Sequence, residues 1–571
     1  MSDTNLNYHA KNIATLLIAV LVTACSGGSS TNLPSVDSAD PASDNPASQQ
    51  INNPANDLAN NQPNDSTNDQ PNNQTNEQPN DQPAEFPAID KSLMPNLSAD
   101  YNLDNSAEPI AFPGAQGWGS NTRGGAGGIV VTVNTTQDVS INGDGLVSLR
   151  EALESRNEVP EGPRIIVFSV GGLFSLTPHP VNEVPELNWP RIVMQGESDS
   201  NVTVACQTAP SPGVNIRGGG IYMWNNVHDH IWRHCTKRND HELIEYGIAN
   251  LERSNRTFSI DDFGGNMIFD HMSLSWSTDN NWHAYVNGSA NNPTLGRFTL
   301  SHSIVAEGDG SNASTNETFD SSQGPACLNN HLTNGINGCS FLNNYFAHNE
   351  TRNGALWGAS GEILNNIVYN YIDHGISVFD VMGTSQTDAW VMNNLIKEGP
   401  DGPGHSPIAA QGIITAENNY WLPEAHLSPN QAIDLPSVIV GNHFSPRITG
   451  IGADIKELAA AGSQHMRCVG ASRPTRDALD QIWIDEFYDG SGHIFNGPEP
   501  ESRNYSVYPT IQTEHPSDHD TDNDGIADSW EQNWINMGVI ANLDSMDHLS
   551  DSDKDGYLDI EEYINELARC N

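Results

Sequence analysis

Two twelve-residue segments near the C-terminus carry oxygen ligands at the spacing of a calcium-binding loop. In "DTDNDGIADSWE", carboxylates occupy the first, third, fifth, ninth and twelfth positions, and glycine at the sixth permits a sharp turn. "DSDKDGYLDIEE" repeats this pattern. One match would fit a solvated acidic loop, but two complete matches favour calcium. The predicted ligands are Asp520, Asp522, Asp524, Asp528 and Glu531, and Asp551, Asp553, Asp555, Asp559 and Glu562.

Pairs of asparagines recur through the middle of the chain, each after one or two apolar residues, as in "FLNNYF", "ILNNIV" and "VMNNLI". A period of roughly 22 to 30 residues with short apolar runs predicts a solenoid of strands. Asn fits its turns because it tolerates left-handed backbone angles, and stacked amides can bond from coil to coil. Upstream, we expect the same position to be occupied by Arg233–His234, Asp270–His271 and Ser301–His302.

The first 25 residues have the features of an export signal. Lys11 precedes the apolar run Ile13–Val22, which is too short to span a bilayer. "LVTAC" resembles the cleavage box of bacterial lipoproteins, which implies that Cys25 is lipidated and that the protein is exported to the outer membrane and cell surface. The alternative is a secretory signal cut near Ala24. Residues 26–107 are rich in Asn, Pro, Gln and Asp, which predicts a disordered tether.

Six cysteines follow Cys25, and an even number in an exported chain favours disulfides. Cys327 and Cys339 bracket a short loop, and Cys206 and Cys235 lie about one coil apart. The remaining two, Cys468 and Cys570, are left to pair with each other.

The formal net charge of −48 excludes nucleic acid as an expected partner, because phosphate binding requires a basic surface. The same charge opposes any anionic ligand. An acidic substrate would therefore require local cations at its binding site.

The central region resembles the pectate lyases that form a right-handed parallel β-helix. The resemblance lies in "FPGAQGWGSNTRGGAGG", "SLREALES", "VACQTAPSPGVNIRGGG", "FDHMSLSWSTDNN", "FAHNETRNG" and "GASRPTRDALDQ", in this order. It implies an all-β fold with a β-helix over residues 108–510. Residues 511–571, which resemble the EF-hand-like loops of dockerins, would form a small α-helical calcium-binding module acting as a spacer or adaptor. Ser148 and Glu151 predict a capping box on a helix that covers the end of the solenoid.

In such lyases calcium binds the substrate carboxylate. The resemblance implies that Asp261, Asp262 and Asp279 are its ligands and that Asp270 orients them. For each Asp alone a solvated turn is the simpler interpretation, whereas the group favours a metal site. His283 is a further candidate ligand, although calcium prefers oxygen.

The chain departs from the family pattern at the substrate cations. "AEGDGSNASTNETFDSSQGPACLNNHL" contains no Lys or Arg, and the second Arg of the family's Arg-Asn-Pro-Arg motif is replaced in "RNGA". We therefore expect Lys237, Arg238, Arg297 or calcium to bind the substrate carboxylate. Arg352 keeps its place, and the resemblance implies that it is the catalytic base. A nearby calcium ion would disfavour its charged form.

These features predict a calcium-dependent lyase that cleaves pectic galacturonan, an acidic plant or algal polysaccharide, by β-elimination. A β-helix glycoside hydrolase and a non-catalytic pectin-binding or adhesion protein remain alternatives. We expect a monomer that contacts a membrane only through its N-terminal lipid.

Overall fold

The computed structural model describes residues 110–570 except 178–189, 240–255, 263, 287–295, 310–321, 329–337, 381–386, 403, 442–452, 495–507 and 544–546. The side chains of Asp262 and Val286 also lie outside this description. The predicted signal peptide, Cys25 and the tether lie outside the described residues as well. The chain divides into two units, Met1–Pro83 and Ala84–Asn571, and every described residue belongs to the second.

Short strands alternate among three sheets as the chain advances. Sheet 1 contains β1 (Ile129–Val133), β2 (Arg164–Phe168), β5 (Val202–Ala205), β8 (His228–Arg233), β11 (Gly265–Asp270), β14 (Arg297–Ser301), β17 (Gly338–Leu342), β20 (Ser360–Leu364), β23 (Asp388–Met392), β26 (Ile413–Glu417) and β29 (Val438–Ile439). Sheet 2 contains β4 (Ile192–Gln195), β7 (Ile221–Trp224), β10 (Phe258–Asp262), β13 (Asn280–Val286), β16 (Gln323–Leu328), β19 (Ala355–Trp357), β22 (His374–Phe379) and β25 (Ser406–Ala410). Sheet 3 contains β3 (Val170–Ser175), β6 (Val214–Arg217), β9 (Thr236–Arg238), β12 (Ser273–Ser275), β15 (Ile304–Ala306), β18 (Tyr345–Ala347), β21 (Ile367–Tyr369), β24 (Leu395–Lys397), β27 (Tyr420–Leu422), β28 (Ile433–Asp434) and β30 (Thr513–Glu514).

Through the body of the solenoid each coil contributes one strand to each sheet and pairs in parallel with its neighbours, whereas β28, β29 and β30 at the ends pair antiparallel. β11, for example, pairs in parallel with β8 and β14. Inward-pointing aromatic side chains of successive coils fill the interior, where Trp232, Phe269, Trp282, Phe298 and Phe341 are all buried. Successive coils pair along three sheets around one apolar core, and the predicted right-handed parallel β-helix is confirmed.

The second asparagine of each pair forms a buried amide ladder in the turn between sheets 1 and 3. The side-chain amide of Asn344 donates to Asn366 (2.9 Å), Asn366 to Asn394 (3.0 Å) and Asn394 to Asn419 (2.9 Å). The first asparagine of each pair adopts the left-handed conformation, with φ between 53° and 60° at Asn343, Asn365, Asn393 and Asn418. The first Asn of each pair thus serves its left-handed backbone conformation, and the second serves the hydrogen bonds between coils.

The upstream pairs are shifted by one residue from the alignment expected from the sequence. His302 donates its backbone N–H to Leu342, which places His302 beside Asn343 and Ser303 beside Asn344. His234, His271 and His302 accordingly occupy the left-handed position. Their rings stack from coil to coil, with centroids 4.7 and 4.9 Å apart. The sequence pattern located the turn correctly. The expected alignment was wrong by one residue, because the His-containing pairs share only their polarity with the Asn pairs and do not show which residue takes the left-handed position.

Helix α1 (Leu149–Leu153) covers the N-terminal end of the solenoid. Ser148 Oγ accepts from the N–H of Glu151, and Glu151 Oε2 accepts from the N–H of Ser148, so the predicted capping box is present. All five helical residues are buried, and Leu149 and Leu153 join the solenoid core. The remaining short helical turns are Glu197–Asp199, Cys206–Thr208 and Pro429–Gln431.

Helices α2 (Ile455–Leu458), α3 (Gln464–Cys468) and α4 (Ala478–Asp489) pack on the outer face of sheet 3. Trp483 and Phe487 of α4 are buried against Tyr345 and Tyr369, which project from successive strands. The Tyr345 hydroxyl donates to the carbonyl of Trp483 at 2.7 Å. Sheet 3 is therefore covered along its central coils.

Helices α5 (Asp528–Met537) and α6 (Asp559–Leu567) of the acidic tail pack on the outer face of sheet 1. Ile560 and Ile564 are buried with Ile165, Val167 and Ala205. Glu561 forms an ion pair with Arg123 at 2.9 Å, and Cys570 is bonded to Cys468. The described tail thus packs against the β-helix and is linked to it by a disulfide, and its expected role as a spacer or adaptor stays a prediction.

The other two expected disulfides, Cys206–Cys235 and Cys327–Cys339, are also present. Within the described residues, none of the helices combines the length and apolar character needed to cross a membrane.

Candidate active site

The outer face of sheet 2 carries the acidic residues predicted to bind calcium. In β10, Ile260 is part of the core, so Asp261 beside it projects outward. Asp279 immediately precedes β13, the next strand of the sheet. Both side chains are partly exposed, at 25% and 19%. Asp262 ends β10, but its side chain lies outside the described residues.

Arg256 lies between these two carboxylates. Its Nε and Nη2 each approach Asp279 Oδ2 to 2.9 Å, and its Nη1 lies 3.9 Å from Asp261 Oδ1. Nη1 also donates to Ser259 Oγ, which in turn donates to Asp261 Oδ2 at 2.6 Å. The guanidinium therefore balances both negative charges from one position.

Arg352 approaches the same carboxylates from a later coil. Its Nη1 donates to Asn280 Oδ1 at 2.8 Å and lies 4.0 Å from Asp279 Oδ1. The guanidinium carbon is 4.3 Å from the centroid of the Trp357 ring, a cation–π contact that directs the side chain along the sheet. The structure thus places Arg352 beside Asp279, and Arg256 links Asp279 to Asp261.

The backbone of Arg352 is held in an unfavourable conformation. Its φ is 59°, and the left-handed region costs a non-glycine residue roughly 1–2 kcal/mol. A Cβ on Gly324 would meet the carbonyl oxygen of Arg352 at 2.6 Å, so this turn requires glycine opposite it. Strain of this kind clusters at functional sites, where the surrounding structure fixes one geometry.

His283 forms the floor beneath the two arginines. It lies beside Ser259 in the strand register and is 3% exposed. Neither ring nitrogen has a hydrogen-bond partner among the described residues. Burial, with smaller contributions from Arg256 and Arg352, holds its pKa well below the ordinary value. Tyr222, in the same outward row, has its pKa raised by burial to about 12. Both groups are therefore neutral at ordinary pH.

Lys237 and Arg238 were wrong as substrate-binding residues, since both are buried. They belong to β9 in sheet 3. The Lys237 ammonium donates to the carbonyl oxygen of Gly218 at 3.0 Å. Arg238 forms ion pairs with Asp477 (2.8 Å) and Asp480 (2.9 Å) at the start of α4. Arg238 therefore holds a C-terminal helix onto the solenoid, whereas the Lys237 ammonium bonds to groups of the solenoid itself.

The structure places Arg297 and Asp270 in sheet 1. Arg297 begins β14, whereas the acidic group lies on sheet 2. Asp270 accepts from Arg233 Nε (3.1 Å) and Ser301 Oγ (2.8 Å), and it contacts His271 and His302 at 2.9 and 3.1 Å. The expectation that Asp270 orients the calcium ligands was therefore wrong, because its carboxylate is saturated by a different network.

Arg256 is the functional candidate that sequence reasoning missed. It stands five residues before Asp261 in "RTFSIDDFGG", which makes it the nearest upstream cation to the predicted metal ligands. Its closeness in sequence to Asp261 could have identified Arg256 as a candidate residue of the site. The bonds to Asp279 were not visible in the sequence, since they join neighbouring coils.

The donor set on sheet 2 fits calcium in its chemistry, because carboxylate oxygens are the ligands this ion prefers. Arg256 occupies the space between Asp261 and Asp279, so an ion could bind both only if the guanidinium moved. Calcium binding and the Arg256 contacts are therefore alternatives at these oxygens.

The tail loops fit calcium more directly. Ligand oxygens within 4.8 Å of one another come from Asp520, Asp522 and Asp528, from Asp522, Asp524 and Glu531, and from Asp551, Asp553 and Asp555. Both carboxylate oxygens of Glu531 are buried without a hydrogen-bond partner among the described residues, as is Glu562 Oε2. Burial, reinforced by neighbouring carboxylates, raises the pKa of Glu531 to about 8 and that of Glu562 to about 10. A divalent ion would satisfy these oxygens.

No family profile matches the chain. It is 32% identical over 266 residues to a probable pectate lyase C from Aspergillus oryzae, and the match covers 46% of this chain. The chain spans 48% of the length of that relative, about half. A probable pectate lyase C from Emericella nidulans is 29% identical over 483 residues, covering 80% of this chain and 93% of the relative. A solved Bacillus subtilis pectate lyase mutant aligns with a TM-score of 0.41 and 11% identity, covering 63% of this chain and 97% of that structure.

Proposed function

We propose that this chain is a calcium-dependent polysaccharide lyase that cleaves pectic galacturonan, pectate or pectin, by β-elimination. The observation that carries the proposal is the position of Arg352, with its Nη1 4.0 Å from Asp279 Oδ1 on the outer face of sheet 2. The two probable pectate lyases C to which the chain is similar support the same reaction class.

Elimination requires a proton to leave carbon 5 of a uronate residue, next to its carboxylate. The C4–O4 bond then breaks, a C4=C5 double bond forms, and the departing O4 takes a proton from solvent. The carbon-5 proton is only weakly acidic while the carboxylate is fully charged. Cations must therefore face that carboxylate, and a base must lie close to carbon 5.

Arg352 is assigned as the base. Its hydrogen bond to Asn280 and its stacking on Trp357 fix the guanidinium in one orientation. Asp261, Asp262 and Asp279 would hold calcium, which when bound supplies charge neutralisation of the uronate carboxylate. His283 adds no charge to the site, because burial and the two nearby arginines hold its pKa well below the ordinary value.

The decisive experiment uses the purified full chain with calcium and a panel of uronic-acid polymers. A lyase yields unsaturated ends that absorb in the ultraviolet. New reducing ends without that absorbance would mean a hydrolase, and neither product would mean a binding protein. Absence of unsaturated product from every polymer would refute the proposal.

We further propose that the protein is exported and anchored at the cell surface through a lipid on Cys25. Three disulfides among the described residues are consistent with an oxidising compartment. Metabolic labelling with a radioactive fatty acid tests the anchor. Label should be incorporated into the wild type and absent from Cys25→Ser, whereas equal labelling of both would contradict it.

A further inference from the structure

Arg256 lies against both of the predicted metal ligands whose side chains the structure describes. Two of its nitrogens share one oxygen of Asp279, and the third faces both Asp261 and the Ser259 hydroxyl. The side chain is nevertheless 20% exposed, so it lies at the surface of the site rather than within the core. The guanidinium therefore occupies the place where a cation would bind between Asp261 and Asp279.

Calcium and this guanidinium compete for the same oxygens. Calcium binds carboxylates at about 2.3–2.6 Å. Asp279 Oδ2 is already 2.9 Å from both Nε and Nη2 of Arg256. A divalent ion placed on that oxygen would repel a guanidinium at contact distance, since like charges this close are strongly unfavourable at a partly buried site. Occupation by one cation therefore displaces the other.

We propose that Arg256 is an exchangeable internal cation. In the calcium-free protein it neutralises Asp261 and Asp279. When calcium takes these carboxylates, the released guanidinium binds the uronate carboxylate, for which a planar fork of donors is well suited. This inference rests on the proposed lyase function.

The exchange accounts for the missing substrate cations. Both Lys237 and Arg238 are buried: the Lys237 ammonium bonds to the carbonyl oxygen of Gly218, and Arg238 forms ion pairs at the start of α4. Arg256 and Arg352 are the two arginines that contact Asp279 among the described residues. Since Arg352 is assigned to carbon 5, Arg256 is the residue placed to bind the neighbouring carboxylate.

Calorimetric titration of the full chain with calcium tests the exchange without any turnover. Calcium binding to the tail loops contributes the same heat in every variant. The part of the binding heat that is lost in Asp279→Asn is the component from sheet 2. Arg256→Ala should bind calcium about tenfold more tightly in that component, because the competing cation is gone. Arg467→Ala, an exposed arginine on α3, is the matched control and should leave the titration unchanged.

The second measurement is trigalacturonate binding at saturating calcium in the Arg352→Lys background, where cleavage does not consume the ligand. Adding Arg256→Ala should weaken this binding at least about tenfold, and Arg256→Lys should recover part of it. Circular dichroism and thermal melting establish that each variant is folded.

Unchanged calcium affinity in folded Arg256→Ala would overturn the exchange, because Arg256 would then not compete with the ion. Weaker affinity would also overturn it, because Arg256 would then assist calcium binding. Unchanged trigalacturonate affinity would overturn the substrate-binding role. In either case wild-type cleavage with unsaturated products would leave the lyase proposal standing. Loss of the proposed function is recognised separately, by the absence of those products from the wild type.

Discussion

The guanidinium Nη1 of Arg352 and the carboxylate Oδ1 of Asp279 lie 4.0 Å apart, although the two residues belong to different coils. Asn280, next to Asp279, accepts a hydrogen bond from the same nitrogen. One end of the guanidinium is thus fixed beside a carboxylate that we propose as a calcium ligand. If Arg352 is the base, it has a single working geometry, which makes its replacement by another cation a sharp test.

Arg352→Lys should abolish cleavage while preserving pectate binding in the presence of calcium. Lys keeps the positive charge but cannot reproduce the fork that bonds Asn280 and stacks on Trp357. A positioned base contributes about 10²–10⁴-fold to rate, so turnover should fall at least by this factor. Steady-state kinetics and equilibrium binding to trigalacturonate separate the two effects. If Arg352 is instead a protonated carboxylate clamp, Lys will retain much of the turnover and lose affinity.

Wild-type activity should also rise towards alkaline pH, since the base must be neutral to accept the carbon-5 proton. Initial rates of unsaturated product formation between neutral and alkaline pH measure this directly. A rate that falls with pH while the protein remains folded would contradict the assignment of Arg352.

Calcium in the tail should stabilise the protein without serving catalysis. Glu562→Gln removes the ligand at the last position of the second loop, and its melting temperature in calcium should fall by a few degrees. Cleavage by the variant should remain calcium-dependent. Asp518→Asn, an exposed acidic residue just outside the first loop, is the control. Disappearance of calcium-dependent cleavage in folded Glu562→Gln would place the working ion in the tail.

Deleting residues 516–571 is a poorer test of the same idea. Ile165, Val167 and Ala205 of sheet 1 are buried beneath tail residues, and Cys570 is the partner of Cys468. We expect the deletion to lower stability by exposing this apolar face, whatever the role of calcium. Single-residue variants separate the effect of calcium binding from the loss of apolar packing.

Asn366→Ala should destabilise the solenoid by about 3 kcal/mol. The Asn366 amide donates to Phe341 O and to Asn394, and its oxygen accepts from both the backbone and the side chain of Asn344. Alanine leaves these buried groups unpaired. Asn418→Gly is the matched comparison, since φ is 55° there, its side chain is exposed and glycine adopts this conformation freely. Chemical denaturation should show a large loss for the first variant and little change for the second; equal losses would argue against the ladder.

Stability should fall as the pH drops from neutrality. His230 is fully buried, and burial lowers its pKa from 6.5 to about 3. Between these values the unfolded chain binds a proton that the folded protein cannot, so stability is lost progressively below pH 6.5. At pH 4.5 this residue alone costs about 3 kcal/mol. The free energy of unfolding of wild type and His230→Gln, compared at pH 7.5 and 4.5, should show a smaller loss in the variant. Equal losses would contradict the assignment.

The fold was predictable because its signal is local and repeated. Each Asn pair and the apolar residues around it carry the turn and the flanking strands within a few positions, and Ser148 with Glu151 specifies a helix start within one turn. Asp261, Asp279 and Arg352 were recognisable as well, since each belongs to a short motif. What could not be predicted depends on contacts between distant segments. Arg238 pairs with Asp480 on a helix 242 residues away, and nothing near Arg238 in the sequence indicates that it is covered.

The docking of the tail on sheet 1 has a consequence for the order in which the chain can mature. The apolar face around Ile165 and Val167 is synthesised well before Ile560 and Ile564, which cover it. The first coils therefore keep an exposed apolar patch until the tail has been made and has docked. A chain truncated before the second loop would retain sheet 2, with the proposed active site, but would expose this patch on sheet 1. Chaperones and proteases should therefore recognise such truncated chains through sheet 1.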